Sequence, residues 1–231
     1  MDLITQKLVE QYLEDDKTNY WLDKFSTPTD EEYTCQKWLR ESAAKRYIFN
    51  IMYGDLLKGI DGQRVLDVGG GVTAFSSVLA SRHDYVLCEL LAHDEKERVS
   101  NLSDAMGREF IKVQDWWTLE DKNYDLLIAN DLFPNADQRL ELFLEKFLPR
   151  CVKARLLLTW YDDPRHYMVR RIDADEIMTI LAWDGFQVRG VLQKYISSIV
   201  NADLSIFDQE NKSVYPNGRQ TCIVEFQGDL G

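Results

Sequence analysis

Two carboxylates and three glycines carry the most pointed chemistry in this chain. Asp67 lies within the run Arg64-Val65-Leu66-Asp67-Val68 and is followed at once by Gly69, Gly70 and Gly71. Glu89 ends the run Tyr85-Val86-Leu87-Cys88-Glu89, about 20 residues further on. Both runs read as short buried strands, and Phe75, Val78 and Leu79 recur at helical spacing between them. Strand, glycine turn and helix in that order is where a doubly wound α/β sheet receives a nucleotide. Glycine has no Cβ to hold the backbone off the ligand and takes positive φ freely, and the helix that follows aims its free N–H groups at the ligand. A carboxylate at the spacing of Glu89 accepts two hydrogen bonds from the vicinal hydroxyls of a ribose.

Two kinds of ligand use this geometry. Gly69, Gly71 and Ala74 satisfy the dinucleotide pattern G-x-G-x-x-A. Asp67, two residues before the first glycine, would repel a pyrophosphate and suits a ligand with an ammonium and no phosphate there. Asp67-Val68-Gly69-Gly70-Gly71 resembles motif I, D-x-G-x-G, of the class I S-adenosylmethionine-dependent methyltransferases. Thr73 stands where that pattern often has a further glycine. The resemblance covers roughly residues 60 to 226 and operates at the level of a superfamily.

What the resemblance implies can be placed residue by residue. S-adenosylmethionine is the expected cofactor, with Asp67, Gly69, Gly70, Gly71 and Glu89 on its amino-acid and ribose side. An acidic residue after the third strand receives the adenine amino group with an apolar neighbour against the ring, and Asp115 and Trp116 fit that description. The transferred methyl group points to the carboxyl end of the fourth strand, where Asn130, Asp131 and Asn135 stand; Asn130 is counted with the cofactor-binding residues. A hydroxyl acceptor also needs its proton removed, and His166, Asp131 and Asp162 or Asp163 are the eligible groups. Asp131 and Asp162 or Asp163 end adjacent strands, an arrangement that resembles the magnesium-holding carboxylates of metal-dependent O-methyltransferases. With no third oxygen ligand in view, no metal is assigned. Asn130-Asp131-Leu132-Phe133 loosely resembles the N/D-P-P-Y/F motif of adenine and glutamine N-methyltransferases but lacks its prolines.

The elements that must position these groups follow in order. Residues 1–60 read as helical, with Ile4, Leu8, Tyr12 and Leu13 on one short face and Thr29 and Glu32 spaced as a capping box. Tyr33, Trp38, Leu39, Tyr47, Ile48, Ile51, Met52 and Leu56 then form a long apolar face, a cap or lid over the nucleotide crevice. Residues 61–231 form the catalytic domain: helix Ala74–Ser81, strands Tyr85–Glu89, Phe110–Val113 and Tyr124–Asn130, helix Leu140–Phe147 and strand Ala154–Trp160. A helix over Ala174–Ala182 and strands Gln187–Gln193 and Gln220–Phe226 look like the reversed hairpin that closes the methyltransferase sheet. The expected fold is α/β, a doubly wound, seven-stranded, mostly parallel sheet with an antiparallel last hairpin and an N-terminal helical cap. Tyr195, Phe207, Tyr215 and Pro216, in the long segment 194–219, are further candidates for the acceptor pocket.

Composition sets the outer bounds. The 231 residues are 45% hydrophobic and 29% charged, enough for one substantial core. A formal charge of −12 argues against nucleic acid, which needs clustered Lys and Arg. The four cysteines are dispersed and read as reduced thiols. No apolar run approaches the roughly 20 residues that span a bilayer, and the first residues carry no secretory pattern, so a cytoplasmic location without membrane partners is expected. The reading is an S-adenosylmethionine-dependent methyltransferase that O-methylates a small or sugar-like acceptor, such as a precursor of a surface glycan or capsule. An N-methyltransferase acting on a small amine, an NAD-binding oxidoreductase and a non-catalytic S-adenosylmethionine-binding protein are the alternatives.

Overall fold

The computed structural model describes residues 1–26, 32–90, 94–171, 176–209 and 211–231. The chain opens with β1 (Asp2–Leu3) and four helices, α1 (Gln6–Leu13), α2 (Lys17–Phe25), α3 (Thr34–Glu41) and α4 (Ala43–Lys58). The long apolar face read in the sequence is thus two helices. Their junction is Ser42, whose extended backbone and side-chain bond to the Lys45 N–H start α4. Thr29 lies outside the described residues. β2 (Arg64–Val68), α5 (Ala74–Arg82), β3 (Asp84–Glu89), α6 (Lys96–Ala105) and β4 (Ile111–Val113) follow, then β5 (Tyr124–Phe133), α7 (Leu140–Phe147) and β6 (Cys151–Trp160).

Sheet order is β1-β9-β6-β5-β2-β3-β4, where β9 is Gln220–Gln227. β2 pairs in parallel with both β3 and β5, so the strand order reverses at β2 and a crevice opens beyond the carboxyl ends of β2 and β5. Alternation along the strands sends Val65, Leu126, Ile128 and Leu157 to a core shared with α4 and α5. Leu66, Leu127, Ala129 and Leu156 go to a second core under α7. Ile4, Val9, Trp21 and Leu22 belong to the first of these, so the N-terminal helices and the sheet share buried apolar contacts.

Two elements near the end exchange roles. Glu176–Ala182, expected as a helix, is strand β8, paired residue for residue with β7 (Arg165–Arg171) in a separate antiparallel hairpin. Gln187–Gln193, expected as a strand, lies inside helix α8 (Gly185–Lys194). The physical reasons are local. Asp184 and Gln187 form a reciprocal capping box that starts α8, and Val188 and Leu192, one turn apart, are both fully buried. Ile177, Thr179 and Ile180 are β-branched and favour the extended backbone of β8. β9 is antiparallel as expected, but its partners are β6 and β1, so Asp2–Leu3 fills the edge place expected for Gln187–Gln193.

Candidate functional site

The turn after β2 is built so that only glycine fits. Gly69 and Gly71 have φ of +70° and +73°, conformations in which a side chain is strained. A Cβ on Gly70 would stand 2.4 Å from Asp67 Oδ1, and one on Gly71 would stand 2.2 Å from Cys35 Sγ of α3. Gly71→Ala is therefore expected to destabilise the protein by about 1–3 kcal/mol, through backbone strain and overlap with α3. Urea unfolding measures this, and Cys35→Ala in the same background should restore part of the loss. Equal stability in Gly71→Ala would show that α3 does not rest on the turn.

The N-terminus of α5 departs from expectation. Its first N–H groups were expected to face a ligand, but side chains take them. Phe75 N–H donates to Thr73 Oγ1 (3.2 Å), Thr73 N–H to Ser76 Oγ (3.1 Å) and Ala74 N–H to Gln36 Oε1 of α3 (2.8 Å). A helix start capped three times over has little left for a phosphate.

Both carboxylates stand at this turn, in different environments. Asp67 is only 2% exposed and sits beneath Gly70. It accepts hydrogen bonds from Tyr53 Oη (3.2 Å) and Tyr85 Oη (2.8 Å) and does not line the cavity. Burial pushes its carboxyl up to about 7, against the two tyrosine hydroxyls and with a contribution from the charge of Glu89. Glu89 does line the cavity, where it accepts the N–H of Gly71 (3.2 Å) and of Leu90 (2.9 Å).

Beyond this turn lies a cavity of about 920 Å³, walled by α3, α4 and the ends of β2, β3 and β5. Gly69, Gly70, Gly71, Glu89, Asn130, Asp131 and Asn135 all line it. Asp131 has φ +59°, rare for a residue with a side chain, at an irregularity between Ala129 and Phe133 of β5. Its carboxylate accepts from Arg219 (2.9 and 3.2 Å), Lys45 (3.3 Å) and Asn135 (3.2 Å). Burial opposes its charge, but Arg219 and Lys45 outweigh burial and hold the carboxyl below its ordinary value.

Other expected residues lie elsewhere. Trp116 is 4% exposed and packs edge-on against Phe133 and Phe143, its indole N–H donating to Asp137 (2.7 Å). Asp115 is held by a two-pronged pair with Arg139 (3.1 and 2.9 Å), whose guanidinium covers the Trp116 ring at 4.5 Å. Arg139 and Asp137 line the cavity, and Asp115 and Trp116 stand one layer behind them.

The expected catalytic trio does not assemble. His166 and Asp162 are both exposed and neither lines the cavity. The chain after β6 turns through Asp162 and continues as β7. There Arg165 and Tyr167 face Tyr161 at 4.6 and 6.1 Å, so strand alternation carries His166 to the opposite face. Asp131 is thus the member of the trio that reaches the cavity. Of the further candidates in 194–219, Tyr215 lines it too. Phe207 instead packs on Trp160 at 4.8 Å, and the Tyr195 hydroxyl donates to the carbonyl of Glu141.

Sequence reasoning missed Lys45, Arg139 and Arg219. Lys45 looks like one more polar residue of an amphipathic helix, and Arg139 like one of a solvated loop. The exception is Arg219, a charged residue three positions before the apolar run Cys222-Ile223-Val224, close enough to a buried strand for burial to be legible.

Solved structures place this architecture. The SAH complex of DhpI is similar over 98% of this chain and 100% of its own, at 13% identity and a TM-score of 0.51. The N-terminal domain of EvdMO1 with SAH bound matches over 94% of this chain and 96% of its own, at 12% identity and a TM-score of 0.53. The same domain in the presence of SAH and D-fucose gives 97% and 98%, 12% identity and a TM-score of 0.50. No protein-family profile and no curated protein sequence matches the chain. The chain has the Rossmann-like fold of the class I S-adenosylmethionine-dependent methyltransferases.

Proposed function

We propose that the protein is an S-adenosylmethionine-dependent methyltransferase that O-methylates a small, sugar-like acceptor. The observation that carries this reading is the glycine turn. Glu89 puts a carboxylate beside it at the cavity wall, with Asp67 buried beneath as its support, while the first N–H groups of α5 are already capped. Glu89 at the cavity wall suits a nucleoside diol, and a helix start already capped by side chains disfavours a pyrophosphate, which weighs against the oxidoreductase alternative. The residues present therefore fit the donor: Glu89 would receive the ribose hydroxyls, and Gly69, Gly70 and Gly71 would let the ligand approach the backbone. When bound, the donor supplies a methyl group on a positively charged sulfur, already reactive, so the protein's part is chiefly alignment.

The acceptor side belongs to Asn130, Asp131 and Asn135. Asp131 stays ionised and so can accept a hydrogen bond from an acceptor hydroxyl and turn an oxygen lone pair towards the methyl group. Its lowered proton affinity makes it an orienting group rather than a strong base. A polar wall of this kind suits a hydroxyl-rich molecule, and one neighbour of the same fold was crystallised in the presence of SAH and D-fucose. No described helix is long and apolar enough to cross a membrane.

Calorimetric titration with S-adenosylhomocysteine and, separately, NAD tests the donor assignment. Micromolar binding of S-adenosylhomocysteine with no heat from NAD is expected. The reverse pattern would replace the methyltransferase reading with the oxidoreductase one. Isotopically labelled donor and pools of sugars then identify the acceptor.

A further inference from the structure

The corner of the cavity around Arg219 has more cationic hydrogen-bonding capacity than its own residues use. Lys45 and Arg219 bring two positive charges to the single carboxylate of Asp131. Arg219 is 8% exposed, with two of its nitrogens forked onto Asp131 and its guanidinium against the Tyr215 ring at 4.5 Å. Its third nitrogen, Nε, is buried and has no partner among the described residues. The Tyr215 hydroxyl, beside Arg219, is likewise buried, and its proton has no acceptor among the described residues, although Tyr215 and Arg219 both line the cavity. A lysine ammonium has three donors, and Lys45 gives one to Asp131.

Native proteins rarely leave such groups unmatched, and a buried guanidinium N–H is among the least tolerated. In a chain whose formal charge is −12, a half-buried corner in which Lys45 and Arg219 face the single carboxylate of Asp131 is also unusual. A neutral hydroxyl could satisfy one of these donors but would leave the charge uncompensated. A group with two or more oxygens and a negative charge answers both needs.

Building on the methyltransferase reading, we propose that this corner is a subsite for an anionic group on the acceptor, a carboxylate or a phosphoryl group. Arg219 Nε, Tyr215 Oη and Lys45 Nζ are its donors. Asp131 anchors Arg219 and Lys45 in place and, by repelling a second anion from its own side, turns the incoming group towards Tyr215. The acceptor is then a sugar acid or a sugar phosphate rather than a neutral sugar.

The test is titration of the S-adenosylhomocysteine-loaded protein with D-glucuronate, D-glucose 6-phosphate and D-glucose. At least one anionic sugar should bind tenfold or more tightly than glucose, and which of the two does so tells a carboxylate subsite from a phosphoryl one. Tyr215→Phe, which deletes a single oxygen, should weaken that sugar several-fold, and Arg219→Gln more than tenfold. Affinity for S-adenosylhomocysteine should stay within twofold in both variants. Three results overturn the proposal: no preference for either anionic sugar, a preference that survives Tyr215→Phe undiminished, or a parallel loss of S-adenosylhomocysteine affinity. The last would assign the corner to the carboxylate of the donor instead. Should Arg219→Gln fail to fold, Tyr215→Phe decides alone. Failure of the wild-type protein to bind S-adenosylhomocysteine would overturn the methyltransferase reading, and the same sugars titrated into the free protein would still judge the subsite.

Discussion

Glu89→Ala is expected to weaken S-adenosylhomocysteine binding by about 10- to 150-fold, the equivalent of about 1.5–3 kcal/mol. The size follows from what the carboxylate would do. A charged acceptor taking two hydrogen bonds from a ribose diol contributes more than a neutral one, and its removal also leaves the diol facing a gap. The same carboxylate accepts the N–H of Gly71, so the truncation loosens the glycine turn on which the ligand rests. Glu89→Gln separates these effects: it keeps one acceptor oxygen and should lose less than the alanine variant. Calorimetry reads the affinities, and thermal unfolding without ligand reads any general loss of stability. Unchanged affinity in Glu89→Ala would remove this residue from the donor site.

A second large effect concerns acidity rather than ligand. Asp67 in the native protein holds its proton up to about pH 7, whereas in the unfolded chain it releases it near pH 4. Between those values the native state binds a proton that the unfolded state does not. The stabilising contribution is therefore complete below about pH 4 and is lost as the pH rises through about 7. Over pH 5 to 8 the loss is about 2–3 kcal/mol. Asp67→Asn keeps the shape but cannot ionise, so its stability should fall less across that range than that of the wild-type protein. Urea unfolding of both proteins at pH 5, 6, 7 and 8 checks this. Parallel curves would mean that Asp67 does not titrate in this window.

What could be seen in the sequence was local, and what could not was assembled from a distance. β2, β3, β5 and β6 announce themselves as apolar runs because both faces of a central parallel strand are buried. Glu89 and the glycines were legible for the same reason: each lies at the end of such a run, where the fold opens its crevice. The two-residue strand Asp2–Leu3 has no periodicity to read and exists only because β9 offers an edge. The exchange of strand and helix between Glu176 and Lys194 is partly legible, since Asp184 and Gln187 have capping-box spacing. Trp116 shows the opposite error. A strand-end aromatic looked like a ligand platform, yet Phe133, Phe143 and Phe147 offered it a drier partner set. The placement of His166 depended on whether the chain after β6 formed a loop or a strand, because one residue of strand register decides which face a side chain takes. Lys45 and Arg219 are 174 residues apart in numbering and meet only through Asp131, so no pattern of spacing could have joined them.

Gln36 ties the N-terminal helices to the heart of the sheet, since its amide oxygen serves as one of the caps of α5. α3 cannot swing clear of the crevice without uncapping that helix and lifting Cys35 off Gly71. Displacement of α3 and fraying of the first turn of α5 are in this way a single event, joined through one glutamine.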